Sequence, residues 1–314
     1  MGRVDFRTYV VMSIWFGCNN DCSICMLGEM KRNLPAIDFD GFRSVTTAIM
    51  REGRFENLIL SGGEVTTFGD LETFSRFAAS LGWFKRIQIQ TNGRRLHDKR
   101  YVQHLIDCGI NEFFVSVYGL DAVHDAVTGI PGSYQETMEG LAHLEEYDVN
   151  VISNTVLTKS NVQDIPRLMR VLSSRKISEM QLWNYFPMER TDSKDLVVSL
   201  VDLMGLLREL HPVCREAKKP LVLKSFPECL FLNPPVYVDN LFPATVLPDP
   251  FWRQFSENGF GWCTYRDVCA SRTCWALSRA YVGKYGDARH LLSPLKQMPV
   301  VGGTGAAPGG MRYA

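Results

Sequence analysis

Six times in the first two-thirds of the chain, a short apolar segment is followed by a longer amphipathic one. The short segments are Tyr9–Phe16, Asn57–Leu60, Arg86–Gln90, Glu112–Val117, Asn150–Leu157 and Glu179–Trp183, rich in β-branched and aromatic residues, which predicts strands. The longer ones are Phe39–Glu52, Asp70–Leu81, Asp98–Cys108, Ser133–Glu146, Val162–Ser173 and Lys194–Leu210, whose apolar spacing predicts helices. Such alternation calls for parallel strands joined by right-handed crossovers. An open doubly wound sheet and a barrel, complete or partial, both satisfy it. Both also gather functional groups at the C-terminal ends of the strands.

The pattern changes after about Pro220. Ser225–Pro250 carries six prolines and is expected to be mostly irregular. A cysteine-rich segment follows, and Gly302–Gly310 is small and flexible in composition. The chain is thus expected to divide into an α/β domain over 1–220, a cysteine-rich region over 221–301 and a flexible tail over 302–314.

Of 314 residues, 46% are hydrophobic, and 34 basic side chains balance 34 acidic ones. A neutral balance excludes a surface built to gather nucleic acid by charge. No apolar run reaches the eighteen residues of a membrane span, and Met1–Asp5 lacks a signal-peptide core, so a cytoplasmic protein with neither nucleic-acid nor membrane partner is expected. In that compartment nine cysteines point to metal binding or catalysis rather than to disulfides.

Their distribution sharpens the point. Cys18-Asn-Asn-Asp-Cys22-Ser-Ile-Cys25 comes directly after the first strand. Three thiolates on one short loop can hold three irons of a 4Fe–4S cube and leave the fourth open to a small ligand. A zinc knuckle would need a fourth ligand nearby, and neither Cys nor His recurs until His97.

This CxxxCxxC loop after the first strand resembles the defining motif of the radical S-adenosylmethionine enzymes. The resemblance covers roughly residues 9–210 and implies a partial (β/α)6 barrel, which selects between the two sheet arrangements. It implies S-adenosylmethionine chelated to the open iron and cleaved by one electron to a 5′-deoxyadenosyl radical, which abstracts hydrogen from substrate. The electron would come from an external donor of flavodoxin or ferredoxin type. Ser61-Gly62-Gly63-Glu64 matches the family's GGE segment after the second strand, with Gly62 and Gly63 letting backbone approach the methionine moiety and Glu64 accepting from its amino group. Val65 stands where the family usually has proline, and Ile24 where an aromatic residue often precedes the third cysteine. Asn92, Ser116 and Asn154, at the ends of the third and fourth strands and on the fifth, fall where the family places polar contacts to the cofactor. Simple strand-end chemistry would also account for those three.

A second group, Cys229, Cys263, Cys269 and Cys274, can saturate another 4Fe–4S cluster, with a structural zinc site as the alternative. Its surroundings resemble the C-terminal ends of family members that carry an auxiliary cluster. Cys108 reads as a small buried residue. Cys214, past a helix end near the boundary, is the candidate hydrogen-donating thiol. His124-Asp125 reads as a helix turn, and Trp183-Asn184-Tyr185-Phe186 as either core or the floor of a pocket.

Two substrates are in view: a small polar metabolite, such as the sugar part of a natural product, undergoing epimerisation or dehydrogenation, and a ribosomally made peptide. Only seventeen residues precede Cys18, too few for a leader-binding domain, which favours the small molecule. Cys214 tilts the reaction towards epimerisation.

Overall fold

The computed structural model describes residues 4–230, 236–257 and 259–296. The expected tail over 302–314 lies outside them. Strands β1 (Tyr9–Trp15), β2 (Asn57–Gly62), β3 (Arg86–Thr91), β4 (Glu112–Ser116), β5 (Asn150–Leu157) and β6 (Glu179–Asn184) lie side by side in chain order, each parallel to the next. Helices α1 (Phe39–Glu52), α2 (Leu71–Ser80), α3 (Lys99–Asp107), α4 (Asp121–Thr128), α5 (Ser133–Leu144), α6 (Ile165–Ser173) and α7 (Leu200–Ala217) fill the crossovers. The strands are largely buried on both faces: Val10, Val11, Met12 and Ile14 of β1 are apolar, while Gln88, Glu112, Ser153, Thr155, Glu179 and Gln181 of β3 to β6 bury polar groups. α1 shows how each crossover is bounded. Asp38 caps it by accepting from Gly41 N, and Phe42, Thr46 and Ile49 form the one stripe it buries.

The sheet does not stop at 220. β7 (Leu221–Lys224) adds to β6 and β8 (Val236–Val238) to β7, while β9 (Ala244–Val246) pairs with β1 at the opposite edge. The result is a nine-stranded parallel sheet in the order β8-β7-β6-β5-β4-β3-β2-β1-β9. The proline-rich stretch expected to be irregular therefore supplies both edge strands. It also limits the opening of the partial barrel. Six peptide steps join Val238 to Ala244, a reach of at most about 22 Å, so the two sheet edges curl to within that distance. Lys224 pins this strap. Its side chain is fully buried, donates to Leu241 O at 2.8 Å and pairs with Asp239 at 3.5 Å.

α7 differs from expectation at both ends. It starts at Leu200, where Ser199 accepts from Asp202 N, and it runs through Pro212 to Ala217. Cys214 therefore lies inside the helix rather than beyond it. The short α8 (Asp249–Glu257) and α9 (Arg279–Tyr285) complete the C-terminal region. No helix among the described residues is long and apolar enough to cross a membrane.

Candidate active site and second cysteine site

The loop after β1 and the ends of β2 to β5 enclose one cavity. Cys18, Cys22 and Cys25 line it together with Gly62, Gly63, Glu64, Asn92, Ser116 and Asn154. Every residue singled out for the cofactor is thus in one place, at the C-terminal ends of the strands. The cysteine loop is held from two sides. Asp21 N and Ser23 N donate to Thr128 O and Val127 O at the end of α4, at 2.9 and 3.0 Å. Across the cavity, Asn92 Nδ2 donates to Asn19 Oδ1 at 2.7 Å, and the Arg94 guanidinium donates to Asn19 O at 2.6 Å and Asn20 Oδ1 at 3.1 Å. Arg94 carried no signal in the sequence beyond following Thr-Asn-Gly.

The glycines also let two backbone segments meet. A Cβ on Gly62 (φ +137°) would sit 1.9 Å from Trp15 O, and one on Gly63 2.4 Å from Gly17 O. Gly63 N donates to Trp15 O and Glu64 N to Gly17 O, at 2.7 and 2.8 Å. The two glycines therefore dock the end of β2 onto the root of the cysteine loop. Glu64 is likewise committed. One carboxylate oxygen accepts from Thr66 N, Thr66 Oγ1 and Thr91 Oγ1, and the other from Asn92 N at 2.6 Å. Burial pushes its pKa upward, against the pull of these donors. It ties β2 to β3 under the cavity, so Glu64→Ala is expected to strand four buried donors and to unfold at markedly lower temperature. A thermal melt within 2 °C of the parent, about 1 kcal/mol or less by the usual scaling, would contradict this role.

The cavity suits an iron–sulfur cluster with a polar ligand. Burial pushes the Cys22 thiol up to about 12 and raises that of Cys18 as well. Thiols so placed lose their protons only to a metal that replaces the missing solvation. Asn20, Asn92, Ser116 and Asn154 add polar side chains to the lining beside the three thiols. Ile24 and Val65 are buried apolar residues, so the two departures from the family pattern are absorbed by packing.

The second cysteine group also converges. Cys229, Cys263, Cys269 and Cys274 line a small cavity of their own. Glu228 N and Ala276 N donate to Cys274 Sγ at 3.5 and 3.3 Å, and Leu295 N to Cys269 Sγ at 3.4 Å. Burial pushes the Cys274 thiol up to about 12. Buried Glu228, unremarked in the sequence, accepts from Ser271 Oγ, Thr273 Oγ1 and Asn240 Nδ2 at 2.5, 2.7 and 3.2 Å. It fixes the loop that bears Cys274 to the strap.

The remaining candidates lie elsewhere. Cys214 is fully buried in the hydrophobic core beneath α7, and Cys108 is buried at the end of α3. Neither lines the cofactor cavity or the lumen beside it. His124 accepts from Tyr118 N, and burial pushes its pKa down to about 4, so it is neutral. Asp125 accepts from Gly132 N, Ser133 Oγ and Tyr134 N. That pair is structural. Trp183 lines both the cofactor cavity and an apolar lumen that adjoins it, and Phe186 lines the lumen.

A parallel partial barrel with its polar and thiol groups gathered at the strand ends defines an enzyme of the cofactor-dependent barrel type. The Radical SAM superfamily profile matches residues 12–172, half of the chain, and the protein belongs to that superfamily. It is 28% identical over 205 residues to an AdoMet-dependent heme synthase of Methanosarcina barkeri, covering 64% of this chain and 57% of that protein. It is 25% identical over 148 residues to the sporulation killing factor maturation protein SkfB of Bacillus subtilis, covering 47% of this chain and 35% of that protein. It therefore spans about a third to three-fifths of the length of these relatives. Streptococcus suis SuiB, solved with the precursor peptide SuiA, shares the fold with a TM-score of 0.54 at 18% identity, over 75% of this chain and 49% of SuiB.

Proposed function

We propose that this chain cleaves S-adenosylmethionine reductively and uses the fragment to take hydrogen from a substrate in the adjoining lumen. The observation that carries the reading is the convergence of Cys18, Cys22 and Cys25 with Gly62, Gly63, Glu64, Asn92, Ser116 and Asn154 on one cavity. Cys18, Cys22 and Cys25 would hold a 4Fe–4S cluster, and Cys229, Cys263, Cys269 and Cys274 a second. When bound, the first passes an electron from a flavodoxin- or ferredoxin-type donor to S-adenosylmethionine, and the second accepts an electron as the substrate is oxidised. The chain's own residues position these parts. Arg94 and Asn92 hold the cysteine loop against β3, Glu64 locks β2 to β3, and Asn154 Nδ2 donates to Ser116 Oγ at 3.3 Å on the cavity lining. Asn154→Leu is expected to weaken S-adenosylmethionine binding by about 1–2 kcal/mol, roughly ten-fold, with iron content unchanged. Unaltered affinity by equilibrium dialysis would remove Asn154 from the site.

The reaction type turns on Cys214. A thiol that returns hydrogen to a carbon radical must face the substrate, and Cys214 faces the core. We therefore favour dehydrogenation over the epimerisation expected from the sequence. Turnover in D2O is expected to give a product two electrons more oxidised than substrate, with no deuterium gained at carbon. One deuterium at an inverted carbon would restore epimerisation. The relatives range from a heme synthase to a killing factor maturation protein, so kinship does not choose between a small metabolite, sugar-containing or otherwise, and a ribosomally made peptide.

A further inference from the structure

The lumen beside the cofactor cavity has a wall that selects its occupant. Phe114, Trp183, Phe186, Phe242, Trp252 and Trp275 line it. Four of these rings, Trp183, Phe186, Phe242 and Trp275, are packed on one another. Phe242 lies 4.3 Å from Trp275 and 5.3 Å from Trp183, centroid to centroid, and Phe186 lies 6.0 Å from Trp275. Such mutual packing makes a stiff aromatic surface rather than a set of loose side chains.

Three polar groups of the same wall are occupied with their neighbours. Ser61 Oγ donates to Gln90 Oε1 at 2.6 Å, Thr245 Oγ1 to Pro243 O at 3.0 Å, and Lys224 Nζ to Leu241 O at 2.8 Å. No carboxylate lines the lumen among the described residues. A polyol entering here would give up water at each hydroxyl and meet few partners in return, a loss for every group left unpaired. An aromatic ring gives up no hydrogen bonds and gains offset and edge-to-face contacts on several sides.

We propose that the substrate is held in this lumen by a planar aromatic ring. The ring belongs either to a free small molecule or to a side chain of a peptide. The inference rests on the neighbouring cavity being the cofactor site and replaces the sugar-type substrate expected from the sequence. The two cavities share Ser61, Gly62, Gln90, Phe114 and Trp183, so a ring seated in the lumen lies against the cofactor cavity itself. Phe242, on the strap that bridges the sheet edges, is the residue expected to set specificity.

The test is ligand-observed saturation-transfer NMR on the anaerobically reconstituted protein, with three small probes. N-acetyltryptophanamide is expected to bind at least ten-fold more tightly than N-acetylleucinamide or methyl α-glucopyranoside. Phe242→Ser should weaken it ten-fold or more, and Phe242→Tyr, which keeps a ring, should retain it. A pentapeptide with a central tryptophan separates the two sources: tighter binding than the amide assigns the ring to a peptide, and equal binding assigns it to a small molecule. Equal or tighter binding of the glucoside or the leucine amide would overturn the proposal, as would a Phe242→Ser variant with unchanged affinity. Equilibrium dialysis of S-adenosylmethionine on the same sample reports the cofactor site separately. Its failure with the aromatic probe still bound would refute the cofactor reading, while its success with no aromatic binding would refute this one.

Discussion

Protein in which Cys18, Cys22 and Cys25 are all replaced by alanine is expected to lose every trace of S-adenosylmethionine cleavage and about half its iron. Two 4Fe–4S clusters correspond to about eight irons and eight sulfides per chain, and the triple variant should retain about four of each. The two sites are built from separate parts of the chain, which is why one should survive the loss of the other. The first hangs on the loop after β1, tied to β3 and α4. The second is fastened by Glu228 and the segment around Cys263–Cys274. Zinc in place of iron in the triple variant would defeat the second cluster.

Removing the second site should separate cleavage from product. Cys229→Ala combined with Cys274→Ala is expected to leave 5′-deoxyadenosine formation in part intact while product falls below detection. The reason is positional. Trp275, the neighbour of Cys274, lines the lumen and packs on Phe242, so the second site and the substrate wall share one segment of chain. The cofactor cavity has no lining residue from that segment. Full product formation by the double variant would reduce the second site to scaffolding.

The parts of this architecture that were legible in the sequence share a cause. β1 to β6 were readable because each is a short run rich in β-branched, aromatic or other apolar residues bounded by an amphipathic crossover, even though β3 to β6 also bury Gln88, Glu112, Ser153, Glu179 and Gln181. The cofactor residues were readable because a barrel brings strand ends together, so a motif placed after β1 and polar residues ending β2 to β5 had to meet. β8 and β9 were hidden, since three residues among prolines show no period, and their pairing depends on how far the sheet curls. That Glu64 also ties two strands together was not legible, because Thr91 and Asn92 lie 27 and 28 residues away. Arg94 and Glu228 were missed for the same reason. Cys214 is more instructive. It continues the buried stripe of Leu203, Leu207 and Leu210 at helical spacing, and the breaker Pro212 drew attention away from that period. A proline inside a helix is unfavourable, but burying Val213 and Cys214 on the far side of it offsets the loss.

The most direct measurement is chemical. Reconstituted protein reduced with dithionite under strict exclusion of oxygen, and given S-adenosylmethionine, should release 5′-deoxyadenosine and methionine in equal amounts. Protein with its full complement of iron at Cys18, Cys22 and Cys25 that binds S-adenosylmethionine and leaves it whole would contradict the account.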